Sequence, residues 1–247
     1  MSLPAKVALA PLLVWQGVRV RRSALRLPEA RGPRRGTAGG RDQPRLRLLV
    51  VGDSSAAGVG VGHQREALAA PLAQALAQRL GGPVAWQLIA TTGHRAADAL
   101  EALRGAKRLA TADVMVAVLG VNDAVAMTPA RSWLATLDDL HACAVERAGV
   151  LTTWHTALPP MGRFPLLPQP LRWVLGREAA RLDTALARHL EGRADRRLAA
   201  LPPTPPGVLP SGWVAEDGFH PGPIGYRRWA EALADQLSAG LHSVNPP

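Results

Sequence analysis

The sequence predicts an α/β fold in which a parallel sheet is covered by helices on both sides. Short apolar runs alternate with longer amphipathic segments along most of the 247 residues. The apolar runs lack the alternation of a half-exposed strand, which indicates strands buried on both faces. Strands that alternate with helices in this way are typical of a parallel sheet wound on both sides. The length fits one large domain better than two small ones, and 47% hydrophobic residues are enough for a sizeable core.

The first strand and the turn after it form the stretch around which the rest is arranged. Residues 47–62 read RLLVVGDSSAAGVGVG, so an apolar run at residues 48–51 ends in small and polar residues. Ser54 is thereby placed after the carboxyl end of a buried strand. Ligands of open α/β sheets bind at that edge, which is where a nucleophile would be useful. Ser55 follows directly and is the less favoured of the two serines.

Four further strands and the helices between them follow in order. The strands are predicted at residues 84–90, 113–119, 150–156 and 197–201. Apolar residues at helical spacing predict helices at residues 66–80, 96–109, 133–148, 177–193 and 227–241. The sequence therefore predicts a central sheet of about five strands.

The stretch at residues 161–176 does not fit a regular element, because it contains several prolines. It also holds large apolar residues, among them Phe164, Leu166 and Trp173, which are unusual in an exposed loop. These side chains either close the core or line a pocket for an acyl group.

The basic charge is concentrated in the amino-terminal arm. Residues 1–46 hold ten lysines and arginines against two acidic residues, whereas the remaining residues carry 19 basic and 17 acidic side chains. The formal net charge of +10 therefore gives no reason to expect nucleic acid on the folded domain. A basic arm can bind phosphates or an anionic membrane surface, and a solvated tail is the more common explanation.

An apolar segment at residues 7–18 lies inside this arm. It is too short to span a bilayer, which needs roughly 20 apolar residues. A secretory signal is poorly formed, since no small-x-small cleavage site precedes the arginine cluster. We expect a short helix that packs on the domain or lies on a membrane surface.

Composition also predicts the domain organisation. Residues 23–44 are rich in glycine, proline and arginine, which is typical of a linker. The sequence thus predicts a basic arm and linker over residues 1–44 and a folded domain over residues 45–247.

Residues at four strand-end turns could together carry out nucleophilic acyl transfer. They are Ser54, Gly93, Asn122 and the pair Asp217 and His220. A neutral serine needs a base to take its proton and an anion to orient and stabilise that base. Asp217 and His220 are separated by only two residues, one of them a glycine, so a turn can bring the carboxylate to one ring nitrogen while the other faces the serine.

At these residues the sequence resembles the GDSL, or SGNH, hydrolase family. Its four motifs are matched in order by Gly52-Asp53-Ser54, Gly93, Gly120-x-Asn122-Asp123 and Asp217-x-x-His220. The resemblance spans residues 47 to about 240 and is specific because all four short motifs occur together. It implies a flavodoxin-like three-layer α/β/α sandwich.

The resemblance also implies a role for each site residue. Ser54 would be the nucleophile, His220 the base and Asp217 its partner. An oxyanion hole would be formed by the backbone amides of Ser54 and Gly93 and the side-chain amide of Asn122. The expected reaction is hydrolysis of a small-molecule ester through an acyl-enzyme, without a metal or organic cofactor. Short acyl or lipid-like esters are favoured, and acetylated sugars, thioesters and lysophospholipids are alternatives.

Three rival functions are weaker. Gly58-x-Gly60-x-Gly62 departs from the G-x-G-x-x-G spacing of dinucleotide sites, and no Walker lysine pattern is present. The sequence around Ser54 is not the G-x-S-x-G of α/β-hydrolases. A catalytically idle domain tethered by its basic arm would not require the complete set of motif residues.

The single cysteine, Cys143, excludes an intramolecular disulfide and a cysteine-based metal cluster, and its helical context predicts a buried thiol. We expect a cytoplasmic protein, with a peripheral membrane position as an alternative, and secretion stays open. The sequence does not indicate an oligomeric state.

Overall fold

One six-stranded sheet organises the molecule. The computed structural model describes residues 3–23, 25–164, 166–203 and 211–244. The strands are β1 (Arg35–Ala38), β2 (Leu46–Gly52), β3 (Val84–Ala90), β4 (Val114–Val118), β5 (Thr152–Thr156) and β6 (Arg196–Ala199). They lie in the order β1-β3-β2-β4-β5-β6. All neighbours are parallel except β1, which runs antiparallel to β3. The predicted parallel sheet is confirmed, with an antiparallel edge strand added.

Helices connect the strands and cover the sheet. They are α1 (Leu3–Ser23), α2 (Ser54–Ala57), α3 (Ala69–Leu80), α4 (Ala96–Gly105), α5 (Val121–Val125), α6 (Ala130–Ala148), α7 (Leu171–Leu190) and α8 (Pro223–Val244). No helix within the described ranges combines the length and apolar character that crossing a bilayer requires.

Two hydrophobic cores lie on opposite faces of the sheet. Leu48 and Val50 of β2 belong to the core that also contains residues of α3 and α8. Leu49 and Val51 belong to the core that contains residues of α4, α6 and α7. Because both faces of β2 are buried, every residue from 48 to 51 is apolar. The three-layer α/β/α sandwich is confirmed.

The stretch at residues 161–176 is more regular than its prolines suggest. After a short 3-10 turn at Met161–Arg163, α7 begins at Leu171, six residues before the predicted start of the helix. The expectation of an irregular stretch up to residue 176 is therefore wrong. Pro170 is the N-cap of α7, and a proline there leaves the hydrogen bonds of the helix intact.

The segment predicted as a linker contributes to the sheet. Arg35 to Ala38 pair with Gln87 to Val84, so the linker prediction is wrong for these four residues. A short edge strand needs backbone pairing and little side-chain burial, which is why its composition resembles that of a loop. The wider division into an arm over residues 1–44 and a domain over residues 45–247 stays a prediction.

The apolar segment of the arm lies in α1, which is docked on the start of α7. The side chain of Gln16 is 6% exposed. Its Nε2 donates to the Gln169 carbonyl at 2.7 Å and its Oε1 accepts from the Leu171 amide at 3.1 Å. In α6, Cys143 is buried as predicted, and burial raises the pKa of its thiol.

Candidate active site

The turn after β2 presents Ser54 as the first residue of α2. Asp53 caps this short helix, since its Oδ1 accepts the Ser55 amide at 2.9 Å. A side chain at position 52 would collide with the sheet, because a Cβ on Gly52 would lie 2.7 Å from the Val118 carbonyl oxygen. The glycine therefore allows the tight turn that places Ser54 at the carboxyl edge of the sheet.

A hydrogen-bonded chain links Ser54 to His220 and Asp217. Ser54 Oγ lies 2.8 Å from Nε2 of His220, and Nδ1 of the same ring lies 2.6 Å from Oδ2 of Asp217. The other carboxylate oxygen, Oδ1, accepts the backbone amides of Phe219 and His220 at 3.0 Å each. The structure thus joins Ser54, which is 166 positions from His220 in the sequence, to His220 and Asp217 in one hydrogen-bonded chain.

The surroundings of Asp217 favour its ionised form. Burial acts to raise the pKa of this carboxyl, but the hydrogen bonds from His220 and from the two backbone amides outweigh burial, so the pKa is lowered. A carboxylate held in this way can orient the imidazole and stabilise its protonated form.

The glycine-rich turn lets the loop of His220 approach the serine. Gly60 has φ +105°, and a Cβ there would lie 2.3 Å from the Pro221 carbonyl oxygen. The buried hydroxyl of Tyr226 donates to the Val59 carbonyl at 2.7 Å. The glycines that the sequence identifies as turn formers therefore also provide a close backbone contact between the first and last motifs.

Asn122 lies between the first two turns of the site. Its Nδ2 donates to the His94 carbonyl at 2.9 Å and lies 3.4 Å from Oδ2 of Asp53. The next residue, Asp123, accepts the Ala96 amide at 3.0 Å at the start of α4. The third motif, which contains Asn122 and Asp123, therefore contacts both the turn after β2 and the turn after β3.

The two backbone donors of the predicted oxyanion hole have no hydrogen-bond acceptor among the residues that the structure describes. Among the hydrogen bonds of the described part of the chain, none has the amide of Ser54 or of Gly93 as its donor. Gly93 is exposed, has φ +88°, and would have no atom within 4 Å of an added Cβ. Both N–H groups are consequently available to a ligand oxygen.

Burial dominates the chemistry of Asp53. It raises the pKa of this carboxyl to about 7 against the opposing hydrogen bond from Ser55, and the charge of Asp123 adds to the rise. Burial also raises the pKa of Asp123. Neither carboxyl is hydrogen-bonded to Ser54 or His220 among the described contacts, which agrees with a supporting position for both.

An apolar wall flanks His220. The rings of Phe164 and Phe219 meet edge to face at 4.9 Å between centroids, and Phe219 lies 5.1 Å from the His220 ring. Leu166 covers Gly218, since a Cβ on that glycine would lie 2.8 Å from Leu166 Cδ1. By contrast, Leu167 and Leu171 are buried in the core. Leu167 and Leu171 therefore help to close the core, whereas an acyl pocket lined by residues such as Phe164 and Leu166 stays a prediction.

All five predicted site residues lie on the turns that meet at this edge. Two neighbours of the site, Glu29 and Arg34, were not predicted. Glu29 Oε1 accepts the Thr92 amide at 2.6 Å, and Arg34 donates to the Ala90 carbonyl at 2.5 Å. Glu29 lies 63 residues from Thr92 in a segment whose composition predicts a linker, so no local pattern could have identified it.

Solved structures share this fold. The chain is 17% identical to the psychrotrophic esterase EstA from Pseudoalteromonas sp., with 80% of this chain and 99% of that one covered and a TM-score of 0.57. TesA is 21% identical, with 78% and 99% covered and a TM-score of 0.55. Est24, a carbohydrate acetylesterase from Sinorhizobium meliloti, is 17% identical, with 79% and 99% covered and a TM-score of 0.51. No curated protein matches the chain in sequence.

The family model points in the same direction as the fold. The model of the GDSL-like Lipase/Acylhydrolase family matches residues 50–228, which is well over half of the chain. The matched range contains Ser54, Asn122 and His220. The chain therefore belongs to the GDSL-like lipase and acylhydrolase family.

Proposed function

We propose that this protein is a serine hydrolase that cleaves carboxylic esters through an acyl-enzyme. The observation that carries the proposal is the chain of hydrogen bonds from Ser54 through His220 to Asp217, at 2.8 and 2.6 Å. Nucleophile, base and orienting acid at hydrogen-bond distance are the arrangement that activates a neutral serine.

The reaction has two similar halves. Ser54 Oγ attacks the ester carbonyl carbon while His220 Nε2 takes its proton, and Asp217 stabilises the imidazolium that forms. The imidazolium then gives the proton to the departing alcohol oxygen, which leaves Ser54 acylated. Water attacks the acyl-enzyme with His220 again as the base, and the carboxylic acid is released.

Three donors would stabilise the oxyanion of each tetrahedral intermediate. The amides of Ser54 and Gly93 are available, and the Asn122 amide would exchange its 3.4 Å contact with Asp53 for the oxyanion. One preorganised side-chain donor of this kind contributes about 3–4 kcal/mol to transition-state stabilisation. Asn122 supplies this donor without adding a charge to the resting site.

The wall beside His220 favours short acyl or lipid-like esters. Phe164, Leu166 and Phe219 offer apolar surface next to the base. Carbohydrate recognition depends instead on many polar partners, although Est24, with the same fold, is described as a carbohydrate acetylesterase. An acetyl-sugar esterase is therefore the second candidate, and thioesterase or lysophospholipase activity would use the same residues.

Substitution of the nucleophile tests the proposal. We expect Ser54→Ala to lose at least about a thousandfold in kcat on p-nitrophenyl acetate, because no other group can form the acyl-enzyme. Circular dichroism should show an unchanged fold. Ser55→Ala is the matched control and should keep wild-type activity. Retention of more than a few per cent by Ser54→Ala, or the same loss in Ser55→Ala, would contradict the assignment.

A chain-length series tests the substrate class. We expect kcat/KM on p-nitrophenyl esters to rise from acetate to butyrate. Phe164→Ala should lower kcat/KM on the butyrate ester about tenfold, because it removes apolar contact with the acyl chain. Trp173→Ala, at a residue that is 43% exposed on α7, serves as the control. Activity confined to acetyl groups, with a preference for acetylated sugars, would establish the second candidate instead.

A further inference from the structure

The segment that precedes β1 contacts the turn that carries Gly93. Glu29 Oε1 accepts the amide of Thr92, the residue before Gly93, at 2.6 Å. Arg34 donates from Nη1 to the Ala90 carbonyl and from Nη2 to Glu29 Oε2, both at 2.5 Å. Glu29 and Arg34 thus form a clamp around the start of this turn.

The same segment also reaches the end of the helix that begins with Ser54. The Ala30 amide donates to the Ala57 carbonyl at 3.2 Å. Gln64, which is 1% exposed, donates from Nε2 to both the Ala30 and the Ala57 carbonyls, at 3.2 and 2.9 Å. The residues from 29 to 34 therefore contact both the turn that carries Gly93 and the last residue of the short helix that begins with Ser54.

The charge of Glu29 suits it to this contact. Burial acts to raise its pKa, but the hydrogen bonds from Thr92 and the charge of Arg34 outweigh burial, so the pKa is lowered and the carboxylate is ionised at neutral pH. Hydrogen bonds to an ionised acceptor are stronger than neutral ones. The guanidinium of Arg34 offsets the negative charge of Glu29 beside a site where a second negative charge develops.

We propose that Glu29 is a positioning residue that holds the Gly93 amide in place for the oxyanion. The proposal rests on the proposed function, since it needs a reaction with a tetrahedral intermediate. Gly93 is exposed, and donors on exposed turns are mobile unless something fixes them. A donor stabilises developing charge only when it is preorganised, and the Glu29 hydrogen bond fixes the adjoining Thr92 peptide.

Kinetics of two Glu29 variants of the 247-residue chain test this role. With p-nitrophenyl acetate, we expect Glu29→Ala to lower kcat about tenfold and to leave KM within about twofold, because the lost interaction acts on the transition state. Glu29→Gln keeps an oxygen acceptor for Thr92 and should stay within about threefold of the wild-type kcat. The control Glu101→Ala breaks an exposed ion pair with Arg104 on α4 and should change neither constant.

Hydrogen exchange of the Thr92 amide, measured by NMR, gives a readout that is independent of turnover. We expect a protected amide in the wild type and in Glu29→Gln, and exchange at least about tenfold faster in Glu29→Ala. A Glu29→Ala kcat within about twofold of the wild type, or a Gln variant as impaired as the Ala variant, would overturn the positioning role. A wild-type protein that turns over no ester would instead overturn the proposed function, and the positioning role with it, even if Glu29 protects Thr92.

Discussion

Two carboxyl groups of the site respond to burial in opposite ways. Asp217 receives hydrogen bonds from His220 and from two backbone amides, so its pKa is lowered although burial acts to raise it. Asp53 is fully buried and lies near the like charge of Asp123, and backbone hydrogen bonds do not offset its burial, so its pKa rises to about 7. Asp217 therefore stays ionised at neutral pH, whereas Asp53 changes its charge there.

The raised pKa of Asp53 predicts a pH-dependent stability. Between its unfolded value of 3.8 and its folded value of about 7, the folded protein binds this proton more readily than the unfolded chain. The stabilisation is thus present below pH 3.8 and is lost as the pH rises through 7. We expect urea unfolding to show that the free energy of unfolding of the wild type falls by up to about 4 kcal/mol, relative to that of Asp53→Asn, between pH 4 and pH 8.

The comparison with Asp53→Asn isolates this group. The asparagine keeps an oxygen acceptor for the Ser55 amide and cannot ionise. Asp217 does not contribute to the change between pH 4 and pH 8. Its pKa is lowered in the folded protein, so its stabilising effect is fully present above pH 3.8. Parallel stability profiles of the two proteins between pH 4 and pH 8 would contradict the assignment for Asp53.

Gly93 and Gly149 allow a controlled test of the donor role that we propose for Gly93. They have φ of +88° and +73°, and neither would have an atom within 4 Å of an added Cβ. An alanine at either position should therefore destabilise the folded protein by about 1 kcal/mol through backbone strain alone. We expect only Gly93→Ala to lower kcat, by about tenfold, since relaxing φ moves its amide away from the oxyanion. Thermal unfolding and ester kinetics on both variants check this, and equal activities would count against the donor role of Gly93.

Local sequence predicts some of these residues and not others. Asp217 and His220 can be predicted together because one short turn contains both. Ser54 can be predicted because it follows a strand that is buried on both faces. Glu29 cannot, since the residue that it binds lies 63 positions away and an isolated glutamate in a basic segment carries no pattern.

At the scale of elements, the glycine turn between α2 and α3 determines how closely the first and last motifs approach. A Cβ on Gly60 would lie 2.3 Å from the Pro221 carbonyl oxygen, and backbone on both sides leaves little room to adjust. Gly62, two residues later, would have nothing within 4 Å of a Cβ. The two glycines thus belong to the same turn but differ in what surrounds them.

This difference predicts unequal effects of alanine. Gly60→Ala should destabilise the protein by about 2 kcal/mol or more and lower kcat, because it moves the loop of His220 away from Ser54. Gly62→Ala should change stability by less than about 0.5 kcal/mol. Urea unfolding and kinetics with p-nitrophenyl acetate measure both effects. Similar behaviour of the two variants would mean that the contact with Pro221 does not position His220.

The elements themselves could be predicted where burial imposes a pattern. β3 has the predicted bounds, and β4 differs by one residue at each end, because mostly apolar runs between turns identify strands. β1 has mostly exposed side chains, so no apolar pattern indicates it. The first turn of α7 follows a run of prolines, which obscures the helix although Leu171 and Leu175 are buried in the core.

At the scale of the whole molecule, α1 is apolar on both of its sides. Leu13 and Val20 pack against the core. The other side exposes between 41 and 66% of four apolar residues: Leu12, Val14, Trp15 and Val18. The Arg19 guanidinium lies 5.3 Å from the centre of the Trp15 ring. Apolar residues, tryptophan and arginine on one exposed helix side are typical of helices that lie on anionic membranes.

We therefore expect the protein to float with anionic vesicles and not with zwitterionic ones. Salt should weaken the binding, because arginines near headgroups contribute electrostatically. The double variant Arg19→Glu, Arg22→Glu and the single variant Trp15→Ser should each reduce the bound fraction. Leu151→Ser, at an apolar residue that is 71% exposed outside α1, is the control. Binding that is indifferent to salt and to these changes would contradict a membrane role for α1.

The small edge strand β1 also affects how copies of the chain behave toward one another. β3 is seven residues long and bonds to β2 on one side, so without β1 its other side would expose unpaired N–H and C=O groups. Such an edge can pair with a strand of another molecule and start aggregation. β1 blocks it with four residues whose side chains are mostly exposed and include Arg35, a charge that disfavours addition of a further strand. A shortened chain that starts at residue 45 would lose this protection along with Glu29, and its aggregation would then hide any separate effect of losing Glu29.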